Sequence, residues 1–356
     1  MIQSFGWRPE LQQAFAPFEA DGLIPGRVVV QQRGLYGLVT DAGDLSAQIS
    51  GRFAHEADSG GYPAVGDWVA ASARPSEGAA TIHAVLPRRT AFVRKAAFST
   101  ATEQVVAANV DVAFLVASMN ADLNARRLER YLATAWQSGA NPVIVLTKLD
   151  LAEDPEADIA EAEAVAFGVP VLAVSAVTGE GLDALASHLK PAETAVLVGS
   201  SGVGKSSLVN ALADEELMAT AEIRESDAHG RHTTTHRELI RLPCGALILD
   251  TPGMRELGLI DADDGLSATF DDIAALATQC RFHDCHHGNE PGCAVRQALE
   301  AGRLDHDRWK SFQKLQRELA HMERKEDRVA RAAYRKHWIG VHKAARAHMK
   351  SKRGEW

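Results

Sequence analysis

From Gly26 to about Pro87 the chain alternates apolar and polar positions in short runs: Arg27–Gln31, Tyr36–Thr40, Leu45–Ile49, Asp67–Ala71 and Thr81–Val85. Turns rich in Gly, Pro and Asp separate them, and this pattern predicts about five short strands in a small barrel or sandwich. Periodicity alone does not separate an OB-type barrel from an SH3-like one. Ahead of it, residues up to about 23 read as a short amphipathic lead-in through Leu11, Phe15 and Phe18. Beyond it, the stretch from Arg88 to about Thr102 reads as a linker with four basic side chains, Arg88, Arg89, Arg94 and Lys95.

The pattern then changes period. Val110–Ser118, Pro142–Thr147, Val169–Ser175 and Thr194–Val198 are near-continuous apolar runs, and helical patterns over Leu123–Trp136, Ala157–Phe167 and Leu182–Leu189 fall between them. Arg237–Leu242 and Gly245–Leu249 read as two more strands. Strand–helix alternation with strands apolar on both faces implies a largely parallel sheet covered on both sides. The expected fold is therefore multidomain, with a β-barrel in front and an α/β domain behind it. No internal repeat or low-complexity segment interrupts the pattern.

Composition adds little to this picture. The chain has 356 residues, 46% hydrophobic and 24% charged, as expected of a soluble globular protein of two or three domains. The first residues lack the order of a signal peptide, and no apolar run is long enough to span a bilayer, so a cytoplasmic protein without a membrane partner is expected. Charge is distributed unevenly. From Arg328 onward nine Lys and Arg face only Glu355, whereas the whole chain carries −9. An acidic body with a basic helical tail suggests a polyanionic partner, most simply RNA.

Candidate chemistry begins at Gly199-Ser200-Ser201-Gly202-Val203-Gly204-Lys205-Ser206-Ser207. It fits G-x-x-x-x-G-K-[ST] between an apolar strand and a helical pattern (Leu208, Val209, Leu212), which is the context a phosphate-binding loop requires. The glycines let backbone N–H groups converge on phosphate oxygens, and the helix start adds its positive end. Lys205 would reach the β- and γ-phosphates, and the Ser206 hydroxyl would ligate Mg²⁺.

Three further motifs select the nucleotide and the reaction. Asp250-Thr-Pro-Gly253 ends an apolar strand, where an acid can hold the Mg²⁺ shell and the Gly253 N–H can sense a γ-phosphate. Before it lies Gly230-Arg-His232-Thr233-Thr234-Thr235, where a threonine, taken as Thr234, could complete that shell. Thr147-Lys148-Leu149-Asp150 closes a strand; its carboxylate would accept from guanine's ring N–H and amine together and repel adenine. Ser175-Ala176 would then close over the base carbonyl. A metabolic P-loop kinase is disfavoured, because Asp150 and Ser175-Ala176 would have no role in one.

Two substitutions depart from the usual GTPase pattern. Thr147 stands where most GTPases have Asn, a change expected to lose one hydrogen bond worth about 1 kcal/mol. Met254 stands where a water-orienting Gln is common, and a thioether cannot orient water.

Near the C-terminus Cys280, Cys285 and Cys293 share a Gly/Pro-containing stretch with His283, His286 and His287. In a reducing compartment this suggests metal rather than disulfides. Three Cys and one His make a closed tetrahedral site of the structural type, and on spacing all three histidines compete for the fourth position.

The motif order is unusual, because the base-recognition pair at 147–150 and 175–176 precedes the phosphate loop, the Thr segment and Asp250-Thr-Pro-Gly253. With the cysteine cluster and the β-rich front, the chain from about 25 to 350 resembles the ribosome small-subunit-dependent GTPase A family, whose GTPase domain is circularly permuted. The resemblance implies an N-terminal extension (1–25), an OB barrel (26–90), a linker (91–102), a permuted GTPase domain (103–260) and a mainly α zinc domain with a basic tail (261–356). It implies a monomer that binds GTP or GDP and the small (30S) ribosomal subunit with its rRNA. The family acts late in that subunit's maturation, and the subunit stimulates its GTP hydrolysis. The family pattern C-x4-C-x-H-x5-C selects Cys280, Cys285, His287 and Cys293 for one structural Zn²⁺, and the resemblance points to His232 as the catalytic replacement for the missing Gln. The alternative is an RNA-binding placeholder whose GTP state only controls docking.

Overall fold

The computed structural model describes residues 1–32, 34–56, 61–95, 103–120, 123–218, 237–250, 266, 268–288 and 290–320. Five strands form the front barrel: β1 (Ile24–Gln32), β2 (Leu35–Thr40), β3 (Gly43–Ile49), β4 (Trp68–Arg74) and β5 (Ala79–Val85). Their order is β1-β2-β3-β5-β4, β1 closes onto β4, and β3 with β5 is the parallel pair. That closure, with helix α2 (Gly51–Glu56) between the third and fourth strands, is the OB arrangement rather than the SH3-like one. A bulge between Val28 and Val30 bends β1 so that one strand serves two pairings. Val28, Leu38, Leu45, Val69 and Ile82 fill the interior.

The N-terminal lead-in folds onto this barrel. Helix α1 (Pro9–Glu19) starts with Pro at its first position, where the missing N–H costs nothing. Ile2, Trp7 and Phe15 bury against Trp68, Ala70 and Leu86, with Trp7 edge-on to Trp68 at 4.8 Å.

Part of the segment that reads as linker is a strand. β6 (Ala91–Lys95) pairs antiparallel with β7 (Glu103–Ala108) as a two-stranded ribbon. The α/β layer follows with β8 (Val112–Ser118), α3 (Ala125–Ser138), β9 (Asn141–Thr147), α4 (Pro155–Ala166), β10 (Val171–Ala173), α5 (Leu182–Ala186), β11 (Thr194–Val198), α6 (Lys205–Ala213), β12 (Arg237–Arg241) and β13 (Leu247–Asp250). Side-chain caps start two of the helices: Asn124 accepts from the N–H of Arg127 at the start of α3, and Asp154 from that of Ala157 at the start of α4. The strands lie in the order β10-β9-β8-β11-β13-β12, parallel except for the antiparallel β12–β13 pair. Every residue of β8 and β11 is buried, as continuous apolar strands require. β12 also pairs with β1 through Val30 with Glu238 and Gln31 with Arg237, so the barrel and the α/β sheet form one 11-stranded sheet.

The C-terminal part is helical, with α7 (Asp271–Ala277), α8 (Ala294–Glu300) and a helix over 306–320. Phe270, Ile273, Val295, Leu304 and Trp309 share a core with Ala133 of α3, which seats this part on the α/β layer. Arg308 fixes the seat. Its guanidinium lies 4.2 Å from the ring centre of Phe167 and 4.7 Å from that of Phe270. It donates to Asp272 at 2.8 Å and to the fully buried Glu129 of α3 at 3.1 Å. No helix among the described residues is long and apolar enough to cross a membrane.

Candidate functional site

The phosphate loop leaves the carboxyl end of β11, the strand held between β8 and β13 in the middle of the parallel sheet. Its glycines have separate jobs. A Cβ on Gly199 would lie 2.3 Å from the carbonyl oxygen of Val116, so the loop can pass β8 only without a side chain there. Gly202 and Gly204 have φ of 78° and 92°, the left-handed region that glycine adopts without strain. Gly204 then caps α6, whose first residues are Lys205, Ser206 and Ser207. Lys205 Nζ folds back over the loop and donates to the carbonyl of Gly199 at 2.8 Å and to that of Ser200. Val203 is buried and anchors the loop from below, whereas Ser200 to Gly202 line its open side.

β9 brings Thr147 beneath this loop. The Thr147 side chain is buried, and its hydroxyl lies 2.5 Å from the carbonyl oxygen of Val203 and 3.1 Å from that of Ala117. The bracing contact to the loop that an Asn would supply is thus made by the shorter threonine. Lys148 turns the chain with a φ of 61°, and Leu149–Leu151 form one 3-10 turn that presents Asp150 at the surface. Ser175 is fully buried and donates its hydroxyl to Asp150 Oδ1 at 2.6 Å. Its role in this arrangement is to orient the carboxylate, while Oδ2 has no partner among the described contacts. Ala176 follows it, half-buried, at the rim.

Asp250 ends β13 opposite Glu238 of β12. His232, Thr233, Thr234, Thr235, Gly253, Met254 and the basic tail from Arg328 lie outside the described residues.

The cysteine-rich loop gathers four ligands. One atom each from Cys280, Cys285, His287 and Cys293 lies within 4.8 Å of all the others. Cys280 Sγ is 3.9 Å from Cys293 Sγ and 3.6 Å from His287 Nδ1, and Cys293 Sγ is 3.5 Å from that nitrogen. A disulfide needs about 2.05 Å. Tetrahedral zinc, with bonds near 2.3 Å to sulfur and 2.0 Å to nitrogen, separates its ligands by about 3.8 and 3.5 Å, so the donor set fits such an ion. His283 and His286 are exposed, while His287 packs edge-on to Trp309 at 5.8 Å. Burial holds the His287 imidazole below its usual pKa, which favours the neutral ring a metal needs. The N–H groups of Ala294 and Arg296 point at the Cys280 and Cys293 sulfurs, each at 3.4 Å, and favour thiolates.

What sequence reasoning missed lies where separate segments meet. Val203 was placed in the phosphate loop, but its carbonyl as the acceptor for Thr147 was not foreseen. Arg308 and Glu129 carry no motif at all. A buried charge on the apolar face of α3 is the only signal that Glu129 offers.

A phosphate loop on the central strand, preceded in the chain by T-K-x-D and S-A and followed by D-x-x-G, defines a P-loop GTPase with its motifs circularly permuted. Comparisons agree with that class. A family model described as RsgA GTPase matches residues 85–260, and one described as 50S ribosome-binding GTPase matches residues 194–327. The small ribosomal subunit biogenesis GTPase RsgA of Opitutus terrae is 46% identical over 100% of this chain and 99% of that protein. Its namesake from Streptomyces coelicolor is 46% identical over 99% and 96%. YjeQ from Thermotoga maritima superposes with a TM-score of 0.62 at 27% identity, covering 84% of this chain and 99% of that one. YloQ, described as a circularly permuted GTPase, gives 0.59 at 26% identity over 86% and 96%. The chain belongs to the RsgA GTPase family.

Proposed function

We propose that this GTPase binds the small ribosomal subunit, contacts its rRNA, and hydrolyses GTP late in that subunit's maturation. The observation that carries this reading is the combination of permuted GTPase, front barrel and Cys3His cluster in one chain, matched end to end by relatives named for small-subunit biogenesis. The descriptor of the shorter family match names the other subunit, but that match covers only residues 194–327.

In this reading Asp150, oriented by Ser175, recognises guanine, and Thr147 to Asp150 together with Ser175 and Ala176 frame the base. Gly199 to Ser207 hold the phosphates, with Lys205 leaving its loop carbonyls for the β- and γ-oxygens. Ser206 and Thr234 would hold Mg²⁺, which when bound neutralises charge on the phosphates. Asp250 and Gly253 sense the γ-phosphate, and His232 orients the attacking water. Cys280, Cys285, His287 and Cys293 hold one structural Zn²⁺. The protein acts as a cytoplasmic monomer, and its basic tail lies against RNA.

Co-sedimentation with purified small and large subunits, in GDP and in a non-hydrolysable GTP analogue, tests this. Retention on small subunits in the GTP-like state and release in GDP is expected. Equal retention in both states favours a placeholder that docks irrespective of hydrolysis. Retention on large subunits alone rejects the reading.

A further inference from the structure

The N-terminal segment, the barrel and the α/β sheet meet around a cavity of about 490 Å³ that the GTPase site does not use. Its charged lining is lopsided: Arg8, Arg27, Arg88 and Arg89 against Glu10 and Asp111. Arg88 is committed to Asp67 through a two-pronged pair at 2.8 and 2.7 Å. Arg8 and Arg89 both donate to one oxygen of Asp111, at 2.7 and 2.5 Å. Its other oxygen accepts the N–H of Thr194 at 2.8 Å. One carboxylate therefore serves two guanidiniums and a backbone amide.

Arg27 is worse compensated. It is 2% exposed and donates to neutral groups, the carbonyl of Phe5 and the hydroxyl of Thr194, while its Nε has no partner among the described residues. Burial draws its pKa down to about 10, against the pull of Asp111. A guanidinium held this way gains from any further negative charge brought into the cavity. Apart from Asn109 the remaining walls are apolar and include Leu11, Ala14 and Pro87, with Trp68 against Arg27.

We propose that this cavity binds a small phosphorylated molecule of nucleoside-monophosphate size, its phosphate between Arg8 and Arg89 and its body against Leu11, Ala14 and Pro87. Volume and lining suit such a ligand: the space falls in the range of small-molecule pockets, and two planar guanidiniums match phosphate geometry. Binding there ties three segments together beside Asp111, just before β8, and Thr194, the first residue of β11, whose far end carries the phosphate loop.

The test uses the full chain saturated with GDP and Mg²⁺, so that the phosphate loop is already filled. Adenosine 5′-monophosphate and inorganic phosphate are titrated by calorimetry, with adenosine, and with potassium chloride at matched ionic strength, as controls. Saturable binding of both phosphates is expected, with adenosine silent. Arg89→Ala, whose side chain is half exposed, weakens binding about tenfold through loss of one charge-assisted pair. Glu10→Gln, at the exposed rim, tightens it about twofold by removing a repulsive charge. No binding beyond the salt control, or unchanged affinity in both variants, overturns the proposal. A 5′-phosphorylated RNA oligonucleotide that binds where the monophosphate does not overturns it in favour of an RNA end.

Discussion

The hydroxyl of Thr147 has one proton and two carbonyl oxygens within reach, those of Val203 and Ala117. Removing only the hydroxyl by Thr147→Val unties β9 from the phosphate loop. At about 1 kcal/mol for a buried hydrogen bond, the Kd for GDP rises roughly fivefold. Thr147→Asn brings no gain from bracing the loop, since that brace already exists. Equilibrium titration of both variants decides; unchanged affinity in Thr147→Val would show the brace to be idle. Asp150→Asn exchanges an acceptor for a donor and turns preference from guanine to xanthine nucleotides. Equal loss of both would make Asp150 structural. The nine-residue phosphate loop was legible because its chemistry lies within one contiguous stretch of sequence. The Thr147–Val203 brace was not, because it spans 56 residues and exists only once β9 and β11 share a sheet.

Short elements divide along the same line. Strands buried on both faces and the helices between them announce themselves by period. β6 does not. Arg94 and Lys95 make it read as a basic linker, and only pairing with β7 makes it a strand. The metal loop was legible as a ligand set, but the choice among His283, His286 and His287 rested on family resemblance until the fold placed His287 by Trp309. Cys285→Ser is expected to lose the metal and the local fold while GTP binding stays near that of the parent, and His286→Ala to keep the metal. Metal content measured per chain checks both, and the reverse result for His286→Ala and His287→Ala would change the assignment. At the seat of the helical part, Arg308→Ala leaves the buried Glu129 with Arg126 as its remaining ion-pair partner and Ser311 as a hydroxyl donor among the described residues. Breaking a buried pair this way costs up to about 3–5 kcal/mol. Hydrogen exchange should rise across α3 and 306–320 with metal retained; unchanged exchange would mean that the apolar core alone holds the seat.

Across the whole molecule, motif order was enough to imply permutation, and run lengths were enough to imply a barrel. Nothing in the sequence foretold that both would share one sheet, since the β1–β12 junction is two residue pairs long and has no signature. That junction matters for His232. The segment bearing it enters β12, and β12 is pinned to the barrel on one side and to β13 on the other. A subunit that engages the barrel would thereby bear on the His232 segment. Against an unassisted rate on the order of 10⁻⁴–10⁻³ s⁻¹ for GTPases without an activator, His232→Ala is expected to retain GTP affinity but to lose stimulation by small subunits. Turnover with and without subunits measures it, and undiminished stimulation would remove His232 from catalysis.

Synthesis of the chain proceeds from one end, and the permutation sets what the ribosome delivers first. β8, β9 and β10 emerge with their helices before β11, yet β11 is the neighbour that covers the other edge of β8. During that interval the seven residues of β8, six of them apolar, offer an unpaired edge to any passing strand. A conventional GTPase makes its phosphate-loop strand at the outset and never waits for it. A translational pause just before Thr194 would lengthen the exposure, and the yield of folded protein should fall with the length of that pause.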